Sequence, residues 1–150
     1  MTDLPDLFHQ LVRFETELWN AVDARLRAEF NLPLSRFEPM QVIARRPSCR
    51  VYDIAEELSI TVGGASKLVD RIEAAGYCVR RANPGDRRSS IILLTTAGRR
   101  VLAKAAKVFE GELQARIGSA MPERSLRQFY STIVKLRAAN TSDDEARSSA

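Results

Sequence analysis

The sequence predicts a mainly α-helical chain with one small β-hairpin: a winged helix-turn-helix core flanked by long N- and C-terminal helices. Three observations carry this. Apolar residues recur in steps of three and four near both ends of the chain, over 4–29 and again beyond residue 95. Between those ends, two short helical runs are separated by little more than Ser59 and Ile60, with Thr61 placed to cap the second. Directly after the second run the period becomes strand-like over 77–82 and 89–94, around the turn signal Asn83-Pro84-Gly85-Asp86.

The first helix sets Leu4, Leu7, Phe8, Leu11, Val12, Phe14, Leu18, Trp19, Val22 and Leu26 on one wide face. At 1.5 Å per residue it is about 39 Å long, more than a chain this small covers by itself, so a partner helix is expected. Asn31-Leu32-Pro33-Leu34-Ser35 breaks the pattern, and Ser35 with Glu38 has the spacing of a capping box for a second helix. Phe37, Met40, Val42 and Ile43 are its apolar residues, Pro39 fits its first turn, and Arg45-Arg46-Pro47-Ser48 ends it. A third helix over 51–58 turns Val51, Ile54, Ala55 and Leu58 inward. The fourth runs from Thr61 through Ala65, Leu68, Val69 and Ile72, and Gly76 stops it. After the hairpin, Thr95 and Thr96 open a fifth helix that reaches about Ile117, and Pro122 opens a sixth carrying Leu126, Phe129, Tyr130, Ile133, Val134 and Leu136. From Thr141 the tail TSDDEARSSA lacks apolar content and is expected to be disordered. The domain reading is one domain over 1–140, with 35–94 as its core and 4–30 and 95–140 as dimerisation helices, followed by the tail 141–150.

Composition narrows the chemistry. No apolar run approaches the roughly 18 residues of a membrane-spanning helix. The first residues lack the basic and apolar regions of a secretory signal, so a cytoplasmic chain is expected. A single His and two Cys cannot assemble a closed four-ligand zinc site within one chain. Cys49 and Cys78 form no CxxC, and neither GxGxxG nor a phosphate loop is present. No cofactor, metal or enzymatic activity is expected. Charge, by contrast, is concentrated: residues 41–100 hold eleven Lys/Arg against six Asp/Glu, a local +5, within an overall +4. Such a patch suits a polyanion.

The order helix, turn, helix, arginine-tipped hairpin has a physical counterpart in duplex DNA. The second helix of the pair is narrow enough for the major groove, and a cationic hairpin tip can follow the backbone or enter the minor groove. Terminal helices that pair two copies would set two reading heads on half-sites roughly 34–36 Å apart.

The segment DIAEELSITVGGASKLVDRIEAAGYCVRRANPGDRRSSIILLTTAG resembles the winged helix-turn-helix core of the MarR family of bacterial transcriptional regulators. Leu68-Val69-Asp70-Arg71-Ile72-Glu73 followed by Gly76, then Asp86-Arg87-Arg88, then Leu94-Thr95-Thr96-Ala97-Gly98 carry the match in order and spacing. The resemblance implies a homodimer with the first and last two helices interleaved. It also implies a pseudo-palindromic operator, usually repressed, and release by a small phenolic or anionic effector held between the dimer arms and the winged domain. Residue by residue, it implies that Thr61 caps the reading helix and meets a phosphate. Ser66, Lys67 and Arg71 face the DNA, and Ala65 touches a thymine methyl. In the wing, Arg88 enters the minor groove, Asp86 orients Arg88, and Arg87 meets a phosphate.

Gly63 and Gly64 depart from the polar residues usual after the cap. They either bring the backbone close to a phosphate or leave a frayed helix start with less base readout. Trp19 is either dimer or core packing, or an effector lid of the kind seen in urate-responsive relatives, for which Asp53 and Arg87 are the imaginable partners. Peroxide-sensing relatives carry their cysteine in the first helix, which has none here, so Cys49 and Cys78 are expected to be buried and inert. Asp70 is expected to pair with an Arg that holds the reading helix to the wing, and His9 to be a helix-face residue. The alternative function is a winged-helix protein that binds DNA without sequence choice, or binds a protein partner, with no effector.

Overall fold

Three left-handed residues and one left-handed glycine mark where the helices turn. Asn31 (φ 51°) ends α1, Leu4–Phe30, with its N–H on the Arg27 carbonyl. Ser48 (φ 52°) lies between α2, Leu34–Arg45, and α3, Val51–Leu58. Ser59 (φ 54°) separates α3 from α4, Val62–Ala74, and Gly76 (φ 80°) follows α4. The hairpin strands are β1, Cys78–Ala82, and β2, Ser90–Leu94, antiparallel in the register Cys78↔Leu94 to Ala82↔Ser90. Then come α5, Thr96–Leu113, a π-helical turn over Gln114–Gly118, and α6, Glu123–Ser148. These assignments come from a computed structural model of the chain, which describes residues 1–148. The mainly helical architecture with one hairpin is the one the periodicity predicts.

The backbone groups into two compact units, Met1–Glu110 and the part from Gly111 onward, where one domain over 1–140 is expected from sequence. The core belongs to the first unit. Leu26, Leu32, Phe37, Met40, Ile54, Val69, Ile72 and Ile92 are all fully buried, which joins α1 to α4 and the hairpin. Phe37 meets Phe109 with ring centroids 4.9 Å apart. The Ile92 N–H bonds the Cys49 carbonyl at 2.7 Å, so the loop before α3 adds one backbone contact along β2.

Two expectations change at helix ends. The cap of α2 is not Ser35 with Glu38. Pro33 holds the N-cap position, and the Leu34 N–H donates to Asp23 Oδ1 of α1 at 2.8 Å. Pro39 is buried past the first turn of α2, inside the helix. The expected disordered tail is helical as far as Ser148. The Thr141 and Ser142 hydroxyls donate to the carbonyls of Arg137 and Ala138, four residues back, and low apolar content leaves this segment exposed without unwinding it. Ser149 and Ala150 lie outside the described residues. Among the described residues no helix is long and apolar enough to cross a membrane.

The apolar stripe of α1 is only partly covered. Val22 and Leu26 are buried, whereas Leu4, Leu7, Phe8, Leu11, Val12 and Phe14 are exposed. Within the second unit, α6 buries none of its residues and exposes Phe129, Tyr130, Ile133, Val134 and Leu136.

Candidate nucleic-acid interface

The reading helix begins as its sequence requires. Thr61 Oγ1 accepts from the Gly64 N–H at 3.0 Å and the Thr61 carbonyl accepts from Ala65 at 2.9 Å, so the first turn is formed. That removes the frayed helix start as an account of Gly63 and Gly64. A methyl at Gly63 meets nothing within 4 Å, so the fold leaves room for a Cβ at this exposed position. Gly63→Ala is therefore expected to stabilise the chain by about 1 kcal/mol in thermal unfolding, because alanine is the better helix former. If the backbone there approaches a phosphate, the same change lowers DNA affinity by roughly fivefold or more in a binding titration.

The helical phase of α4 sorts the predicted residues. Gly63, Lys67, Asp70 and Arg71 are exposed, Gly64 and Ser66 are half-buried, and Ala65, Val69 and Ile72 are buried. Ala65 is 0% exposed, so it cannot touch a thymine methyl and belongs to the core. The apolar side chain that the first turn does present is Val62, 52% exposed, which sequence reasoning missed. Its position beside the cap was the available signal.

Gly76 closes α4, with the Gly76 N–H on Glu73 and the Tyr77 N–H on Ile72. Arg80, on β1, then reaches back to α4. Its guanidinium lies 2.8 Å from Asp70 Oδ1 and 3.3 Å from Glu73 Oε1, and donates to the Ser66 carbonyl at 3.4 Å. The arginine that Asp70 was expected to find is this one, and it ties the wing to the reading helix. A second tie lies at the base of the hairpin. Thr95 Oγ1 accepts from the Gly98 N–H and donates to the Gly76 carbonyl at 2.7 Å, while the Thr95 N–H donates to Tyr77.

The wing tip is ordered by side chains bonded to backbone. Asn83 Oδ1 accepts from Gly85, and Asp86 Oδ1 accepts from the Arg88 backbone N–H at 2.9 Å. Asp86 thus shapes the turn, and the contact with the Arg88 side chain that the family resemblance implied is not made. Arg87 and Arg88 are both exposed, and neither side chain has a partner among the described residues.

The cations behind this face are in contrast paired. Arg45 and Arg46 of the α2 end meet Glu57 of α3, Arg46 also lies 3.5 Å from Asp53, and hydrogen bonds from Arg45 hold the Glu57 carboxyl below its ordinary pKa. Asp53 accepts from the Arg50 N–H at 2.9 Å and is only 9% exposed. Its carboxylate is thereby engaged at the start of α3. Trp19 does not join it. The indole is 41% exposed and borders a shallow hollow with Glu15, Thr16 and Asn20 of its own helix.

Cys49 and Cys78 are each 1% exposed and unbridged, and burial pushes both thiols up to about 11. The folded protein should react with iodoacetamide at pH 8 about 100-fold more slowly per thiol than the unfolded chain, since each pKa unit removes tenfold of the thiolate. Native-state labelling at the unfolded rate would mean that these sites open freely.

Comparison with known proteins follows this geometry. A family model described as MarR family matches residues 31–89, from the end of α1 to the wing. The HTH-type transcriptional regulator BilQ of Clostridium symbiosum is 27% identical over 94 residues, which cover 63% of this chain and 65% of that regulator. The chain thus aligns with just under two thirds of this relative's length. Among solved structures, Sco3205 of Streptomyces coelicolor, a MarR family regulator in complex with DNA, superposes with a TM-score of 0.82 at 20% identity, covering 89% of this chain and 84% of that one. CouR of Rhodococcus jostii RHA1, bound to p-coumaroyl-CoA, superposes with a TM-score of 0.78 at 21% identity, covering 87% and 91%. At these identities the structural matches establish the fold.

Proposed function

We propose that the chain is a MarR-family protein: a homodimeric, sequence-specific DNA-binding transcriptional regulator of the cytoplasm, a repressor released by a small effector and without catalytic activity. One observation carries the DNA assignment. Arg45, Arg46, Arg50 and Arg80 are ion-paired within the scaffold, while Lys67 and Arg71 on α4 and Arg87 and Arg88 on the wing are exposed and unpaired among the described residues. Unpaired cations on two adjacent elements lose no internal partner when they displace the counterions of a duplex.

The division of labour follows from reach. Lys67, with its free ammonium, addresses guanine or a phosphate in the major groove, and Arg71 continues the same face. Val62 offers the apolar contact for a thymine methyl. Arg88 and Arg87 take the minor groove and the flanking backbone, where a narrow groove concentrates negative potential. The dimer assignment is supported by the exposed apolar face of α1 and, separately, by that of α6, which a second copy would cover. The Sco3205 complex with DNA and the CouR complex with p-coumaroyl-CoA support DNA and a small ligand as the two partner classes.

The lack of side chains at Gly63 and Gly64 favours a second reading, binding without sequence choice. Competition separates the two. With a duplex selected by the purified protein from fragmented genomic DNA, the regulator reading expects unrelated duplex to compete at least roughly 1,000-fold less well at physiological salt. Equal competition by both duplexes leaves only the non-specific binder.

A further inference from the structure

The start of α4 offers a duplex little hydrogen bonding. Residues 59–63 form one exposed run, and its two large side chains are apolar: Ile60 is 38% exposed and Val62 is 52% exposed. Thr61 Oγ1 already accepts from the Gly64 N–H. Gly63 and Gly64 present no side chain. At Gly64 the cap itself favours this, since a Cβ would stand 3.1 Å from Thr61 Oγ1. At Gly63 nothing in the fold does, because an added Cβ has open space. A side chain there would project from the exposed face and hold the helix start away from the floor of a groove.

The hydrogen-bonding side chains of α4 are engaged or lie further along. Asp70 and Glu73 face Arg80, and Ser66 is half-buried. The exposed Lys67 stands about 7.5 Å along the axis from Val62, at 1.5 Å per residue. The end of a reading helix that meets base edges thus carries methyl groups. In the major groove the bases present donors, acceptors and one apolar group, the C5 methyl of thymine. Val62 has its chemical match in that group alone. A cytosine methylated on C5 presents the same group at the same place.

We propose that the first turn of α4 reads the C5 methyl of a pyrimidine through Val62, and that 5-methylcytosine satisfies it as thymine does. The protein then responds to cytosine methylation within the duplex it selects. The inference rests on the reading of α4 as the helix that enters the major groove.

The test uses the full-length protein and the duplex it selects from fragmented genomic DNA, in anisotropy titrations. Thymines of the two half-sites are replaced by deoxyuridine, one symmetric pair at a time, which removes the methyl and keeps every hydrogen-bonding group. At one such pair affinity should fall about fourfold per methyl, and so about fifteenfold for the pair. With guanine opposite, 5-methylcytosine against cytosine at that pair should give the same ratio. Val62→Ala should bring both ratios to within about twofold of one. The two wild-type ratios do not depend on how the variant folds. Deoxyuridine tolerated at every position by wild type, or ratios that survive Val62→Ala, would overturn the proposal. So would a thymine ratio without a matching cytosine ratio. Each of these failures leaves selective binding intact, whereas equal competition by unrelated duplex removes the regulator reading and this inference with it.

Discussion

Replacing both wing arginines, Arg87→Ala with Arg88→Ala, is expected to weaken binding to a selected duplex by about 100-fold or more while leaving stability within about 0.5 kcal/mol of wild type. The two effects separate because of how the tip is built. Its turn is held by Asn83 and Asp86 bonding to backbone N–H groups, so neither arginine side chain contributes to the shape of the loop. Both project from an exposed turn with nothing to pair them among the described residues. In a homodimer the double substitution removes four cations from the DNA face. If each neutralises a phosphate or lies in a minor groove, the slope of log affinity against log salt should fall by roughly 3 to 4. Anisotropy titrations at several salt concentrations give both quantities. An unchanged slope and affinity would remove the wing from the interface.

Gly98→Ala is the substitution expected to disturb the fold most. A Cβ at this position falls 2.1 Å from the Tyr77 carbonyl oxygen and 2.9 Å from its carbon. Both are backbone atoms, and the same carbonyl accepts the Thr95 N–H. The clash cannot be relieved by rotating a side chain. It must push α5 away from the junction where Thr95 ties together α4, the hairpin and α5. A loss of about 3 kcal/mol is expected, with a melting temperature about 6–12 °C lower for a chain of this size. DNA affinity should fall too, because that junction sets the wing against the reading helix. Gly63→Ala is the internal control, since the same added methyl there meets open space.

Much of this was legible because it depends on short-range chemistry. The Thr61 cap, the Gly76 stop and the Asn83–Asp86 turn are local rules, and the elements they bound formed close to where those rules placed them. What was hidden depends on distance along the chain. The cap of α2 comes from Asp23, eleven residues back on another helix. No local pattern announces that, whereas the local Ser35–Glu38 pattern was present but unused. The family resemblance implied that Asp86 orients the Arg88 side chain, and the turn brings the Arg88 backbone N–H to its carboxylate instead.

Ala65 shows how two kinds of inference conflict. Its spacing with Val69 and Ile72 points it inward, while the family resemblance points it toward DNA. One side chain cannot do both, and burial sides with periodicity. Asp53 has a local use that the sequence analysis did not assign to it. A carboxylate three residues into a helix serves the backbone N–H behind it before it serves any ligand.

The most direct test is a hydroxyl-radical footprint of the full-length protein on its selected duplex, with Arg87→Ala/Arg88→Ala run beside wild type. Two copies that each insert α4 and a wing should protect a dyad-symmetric pattern, with two inner segments about one helical turn apart and an outer minor-groove patch beyond each. The double variant, at concentrations that restore occupancy, should keep the inner segments and lose the outer patches. A single unpaired window, or outer patches that persist without the arginines, would contradict the placement of the wing and the pairing of two chains on the duplex.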